Sequence, residues 1–159
     1  MPQLFPRRGG LGALALSACS VVMVQTSLPF SPSMAASPEG IATPAIQGIF
    51  LPAETPVRGG FKIQQAGSRT MLELSNDFKT SDLAPDLKIA FSASRTPLAT
   101  SHPPAYPLAA GSYTVMAPLR STSGAQRYVI PSRIDLSRQG SVLIWCEQFN
   151  ATMAWAPLR

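Results

Sequence analysis

Ser141-Val142-Leu143-Ile144-Trp145-Cys146-Glu147-Gln148-Phe149 is a largely apolar run with Gly140 in front and Asn150 behind. Its length and its β-branched and aromatic content read as a β-strand. Side chains alternate between the two faces of a strand. Val142, Ile144 and Cys146 therefore share one face, and Leu143, Trp145 and Phe149 take the other. A strand that is apolar on both faces belongs at the centre of a sandwich or a covered sheet. It also carries a thiol, which in such a place is either inert packing or a shielded reactive group.

Working outward, six more short apolar runs come at close spacing: Phe61 to Gln65, Thr70 to Leu74, Leu87 to Ser92, Tyr113 to Ala117, Arg127 to Ile130 and Thr152 to Trp155. With the Val142 to Phe149 run they make about seven strands separated by Gly, Pro, Ser and Asn. No segment holds a helical period. The expected fold is all-β, an antiparallel sandwich-like or partly closed barrel. Leu87, Ile89 and Phe91 should face the core on one side of their strand, with Lys88 turned away from it. The proline-rich stretch from Arg95 to Gly111, which holds His102, reads as a mobile surface connection or an insertion.

The first 36 residues have the layout of a secretory signal peptide: Arg7-Arg8, an apolar run from Leu11 to Val24, and the small residues Ser33-Met34-Ala35-Ala36. Those 14 apolar residues fall short of the ~20 needed for a transmembrane helix. Cleavage is expected after Ala35 or Ala36, giving a periplasmic or secreted protein. The alternative is a lipoprotein anchored through Cys19, because Leu16-Ser17-Ala18-Cys19 resembles a lipobox. Against it, Val21 to Val24 continue the apolar run past Cys19, and only lipidation would bring the protein to a membrane.

Residues 37–58, with Pro38, Pro44, Pro52 and Pro56, read as a linker in which Ile49-Phe50-Leu51 could add a short edge strand, and the folded domain is expected over 59–159. Some 100 residues suffice for one domain with a modest core. Export leaves 11 basic against 8 acidic residues, a net of +3. The basic residues are scattered singly, without aromatic interleaving, so nucleic-acid binding has no support. Of the two cysteines, Cys19 leaves with the signal peptide or is lipidated. Cys146 is then unpaired.

The landmarks Gly60-Phe61, Leu72-Glu73-Leu74-Ser75-Asn76-Asp77-Phe78, Ala84-Pro85-Asp86-Leu87, Leu119-Arg120, Gly124-Ala125-Gln126-Arg127-Tyr128-Val129-Ile130-Pro131, Val142 to Phe149 and Ala156-Pro157-Leu158 occur in an order and spacing that resembles the electron-transfer DM-13 domain family. The resemblance runs from Gly59 to Leu158. It implies a compact β-rich extracytoplasmic module, of a kind found in bacterial envelope proteins and beside cytochrome-like domains elsewhere, here as a single-domain exported member. It also implies that Cys146 is a redox thiol or the ligand of a prosthetic group, and that an envelope redox protein is the partner.

Around that residue, Arg120 and Arg127 are the cations that would favour thiolate, and Glu147 opposes them. A haem is the prosthetic group to weigh. With no Cys-x-x-Cys-His, it would need Cys146 with Met71, Met116 or Met153 as second ligand. Asp77, Asp82 and Asp86 lack the spacing of a calcium loop and read as turn residues. Asn150-Ala151-Thr152 matches a glycosylation acceptor by chance. No Ser-His-Asp set, phosphate loop or zinc cluster is readable, so no stand-alone enzyme is expected.

Overall fold

The computed structural model describes residues 44–158. The signal-peptide and lipobox readings, Cys19 included, lie outside the described residues, as does 37–43 of the linker. Nine strands are present among the described residues: β1 Ile46–Ile49, β2 Leu51–Pro52, β3 Gly60–Ala66, β4 Arg69–Leu74, β5 Leu87–Ser92, β6 Tyr113–Pro118, β7 Gln126–Val129, β8 Ser141–Cys146 and β9 Ala151–Pro157. They form two antiparallel sheets, β1-β3-β4-β7 and β2-β9-β8-β5-β6. The fold is a sandwich and not a closed barrel. No helix among the described residues is long and apolar enough to cross a membrane.

The two strands beyond the expected seven come from the proline-rich segment. β1 pairs with β3 in one sheet and β2 with β9 in the other, so the chain changes sheets at Phe50. That side chain is buried, with its ring 5.6 Å from Phe78 and 5.9 Å from Phe61. From Ile46 the expected linker is thus part of the domain. Its prolines permit this because Pro52 lies on an edge strand, where a missing N–H breaks no ladder.

Alternation places the apolar residues where it should. Phe61, Ile63, Leu72, Leu74 and Tyr128 of one sheet meet Leu87, Ile89, Phe91, Val142, Ile144 and Cys146 of the other in one core. β8 lies between β5 and β9, and all six of its residues are buried. On its outer face Leu143 and Trp145 join Ala90 and Leu108, with Leu98, Tyr113, Val115 and Trp155 packed alongside. The Arg95–Gly111 connection is therefore docked on this sheet through Leu98 and Leu108.

The strand expected over Val142 to Phe149 stops at Cys146. Glu147 to Asn150 form a turn in which the Asn150 N–H donates to the Glu147 carbonyl at 3.2 Å. Asn150 takes φ +45°, a left-handed conformation that asparagine tolerates better than most residues. Phe149 is consequently 61% exposed and not packed beside Trp145. Two register shifts also break strict alternation, one in β5–β6 and one in β8–β9. The extra residues are Met116 and Met153, and both are buried in the main core.

Candidate functional site around Cys146

Cys146 ends β8 and pairs with Leu87 of β5 and Ala151 of β9. It is free, is 0% exposed and belongs to the main core. The faces follow the expected division, since Trp145 points outward, its ring 4.5 Å from Tyr113. Past the thiol the chain turns polar at once. The Glu147 N–H donates to the Asp86 carbonyl at 3.0 Å, and Lys88 Nζ lies 2.7 Å from the Asp86 carboxylate and 3.3 Å from that of Glu147. The hydrogen bond that Lys88 donates to Asp86 is the largest cause raising its pKa above 10.5; desolvation opposes it, and the weaker bond to Glu147 adds to the rise. Asp86, read from the sequence as a turn residue, thus serves this strand end by ion pairing and through its carbonyl.

Neither arginine suggested as a thiolate partner is used that way. Arg127, on the edge strand of the opposite sheet, pairs with Glu73 at 3.0 Å. Arg120 stacks over the Tyr128 ring at 4.3 Å and donates to the Arg127 carbonyl. Among the methionines, Met71 alternates with the buried Leu72 and Leu74 and lies outside the core cluster. Met116 and Met153 share the core with Cys146, and Met153 Sδ accepts the Thr55 hydroxyl at 3.8 Å.

The residues do not fit a haem on Cys146. A macrocycle held through sulfur needs open volume at that atom, whereas Cys146 has no exposed surface and belongs to the apolar core between the sheets. A cleft of about 770 Å³ opens over Gln47, Lys62, Glu73 and Arg127 on the other sheet, and Cys146 does not line it. His102 is exposed in its loop. No three His, Cys, Asp or Glu side chains converge on a metal-sized site among the described residues.

A polar assembly that the sequence did not reveal lies over the end of β8 and β9. The Asn150 side chain accepts from Trp145 Nε1 at 3.0 Å and from the Leu108 N–H at 3.1 Å, and donates to the Leu108 carbonyl at 3.0 Å. Thr152 donates through its N–H to the Ala105 carbonyl and through its hydroxyl to that of Tyr106, both at 2.8 Å. Glu54 accepts the Ala105 N–H at 2.6 Å. Both polar residues of the glycosylation-like triplet are thereby committed to internal bonds, and Thr152 is wholly buried. The one sequence signal was the apolar pair Leu98 and Leu108 inside an otherwise turn-rich loop.

An antiparallel two-sheet sandwich carrying one shielded thiol at the end of an inner strand is the class of domain these observations define. The family model described as Electron transfer DM13 matches residues 50–158, and the chain belongs to that family. The match begins at Phe50, the residue where the chain changes sheets. No curated protein and no solved structure matches it.

Proposed function

We propose that this chain is an extracytoplasmic electron-transfer accessory in which Cys146 is the redox group and an envelope redox protein is the partner. The observation that carries this reading is a single thiol held wholly out of solvent one residue from a charged strand end. In an oxidising compartment an accessible lone thiol is consumed by disulfide exchange or over-oxidation. Burial preserves it. One cysteine cannot run a dithiol–disulfide cycle within the domain. It can pass one electron to an oxidised partner while releasing its proton, and it is restored when one electron and one proton return.

A second reading, a non-catalytic envelope binding module, is favoured by the place of Cys146 in the apolar core and by the engagement of Arg120 and Arg127 elsewhere. Cys146→Ala separates the two, because alanine keeps the site apolar. On the redox reading the variant melts cooperatively like the parent but loses electron exchange with the redox fraction of its own envelope. Full retention of that exchange sinks the redox reading and leaves the binding module.

A further inference from the structure

The segment Pro103–Leu108 contributes no strand, yet its contacts converge on one place. Four of its backbone bonds go to Asn150 and Thr152, the residues on either side of Ala151, and the others to Glu54 and Ser101. Ala151 is the cross-strand partner of Cys146. Asn150 also ties down Trp145, the residue before Cys146. Ala105 packs against the main core that contains the thiol. The segment therefore closes the end of the sandwich at which Cys146 sits.

The closure is held against a backbone preference. Ala105 and Tyr106 are consecutive residues with side chains, at φ +74° and +44°. The left-handed region is disfavoured for such residues and persists only where the surroundings impose it. What imposes it is a set of hydrogen bonds, of which the one from the Ala105 N–H to the Glu54 carboxylate is the shortest. Both ends of that bond meet solvent, because Glu54 is exposed and Ala105 is half-buried. Of the segment's own side chains only Leu108 is buried. A segment with few apolar anchors, a strained backbone and its shortest bond facing solvent opens at a lower free energy than the domain unfolds.

We propose that Pro103–Leu108 is a latch over the thiol end of the core, and that its local release admits small reactants to Cys146 while both sheets stay folded. Its use in electron transfer rests on the redox reading of Cys146, since it would supply the access that a fully buried thiol lacks. Its opening does not depend on that reading.

Alkylation of Cys146 by iodoacetamide, followed in the full chain by peptide mass spectrometry at increasing sub-denaturing urea, tests the latch directly. The expected result is slow labelling with a much shallower urea dependence than global unfolding shows. Glu54→Ala should label roughly tenfold faster, the scale set by losing one hydrogen bond to a charged group. Because that bond is also lost on global unfolding, its urea midpoint should fall by no more than the equivalent of that factor, while the shallow urea dependence of labelling persists. Leu74→Ala, which empties a core site of the opposite sheet, should lower the midpoint without flattening the urea dependence. Wild-type labelling that follows the full urea dependence of unfolding would overturn the latch. So would a Glu54→Ala rate equal to wild type. Because alkylation reports access and not electron exchange, failure of the latch is distinct from the failure of the redox reading that Cys146→Ala detects.

Discussion

Phe91 and Phe149 are the same amino acid in two opposite settings, and truncating each to alanine measures the fold directly. Phe91 lies in the inner row of β5 between Val142 on β8 and Thr114 on β6, and is 0% exposed. A buried aromatic ring removes about 150–250 Å² from water. At about 25 cal/mol per Å² the part lost on truncation is worth roughly 3 kcal/mol. A ring-sized void with neighbours on every side brings the expected cost of Phe91→Ala to about 3–5 kcal/mol. Phe149 stands 61% exposed in the turn after β8, so Phe149→Ala should stay within about 0.5 kcal/mol. Urea unfolding followed by tryptophan fluorescence reads both, with an unchanged slope as the check that the same two states are compared. Similar losses at the two positions, or a Phe91→Ala cost below about 1.5 kcal/mol, would refute the register of β5 and the end assigned to β8.

Thr80 is buried, its N–H bonded to the Thr122 carbonyl, while its hydroxyl has no hydrogen-bond partner. An unpaired buried polar group costs about 1–3 kcal/mol, so the near-isosteric Thr80→Val should stabilise the domain by roughly 1 kcal/mol in the same urea assay, and a loss would show that the hydroxyl is bonded after all. Asp135 caps the short 3-10 turn Leu136–Arg138 by accepting the Ser137 hydroxyl at 2.6 Å and its N–H at 3.0 Å, which together hold its carboxyl below the ordinary 3.8. Because the folded value is the lower one, this contribution is fully present above 3.8 and fades as pH falls through the folded value. Carboxyl NMR titration should show Ser137→Ala returning Asp135 towards 3.8, and an unmoved titration would remove the hydroxyl as the main cause.

Strand identity and face were legible where composition and period agreed. Leu87 to Ser92 is a strand with the bounds its alternation gives, and Val142, Ile144 and Cys146 face inward as read. Lys88 was read correctly as turned from the core, but not as the cation joining Asp86 and Glu147, because those carboxylates meet only once β5 lies beside β8. The insertions at Met116 and Met153 leave no mark in the sequence, since a buried methionine reads the same with or without a bulge. The edge strands at Ile46–Pro52 were obscured by prolines, which lower strand propensity but are harmless at an edge. For the thiol, position was legible and surroundings were not. Nothing in the sequence placed Arg120 or Arg127 beside Cys146, and the latch is made by Glu54, Asn150 and Thr152, which meet residues 105–108 only in the folded chain.

The sheet change at Phe50 makes the solubility of the domain depend on its least strand-like segment. A protease cutting near Gly59 would leave every strand of the main core in place. It would also bare the open edges of β3 and β9, which β1 and β2 now cover. Unpaired edges of that kind are templates for another molecule's strand. Trimming of the amino-terminal arm would thus leave a sandwich that recruits copies of itself, with the Phe50 cavity left between the sheets as the point where a replacement strand would dock.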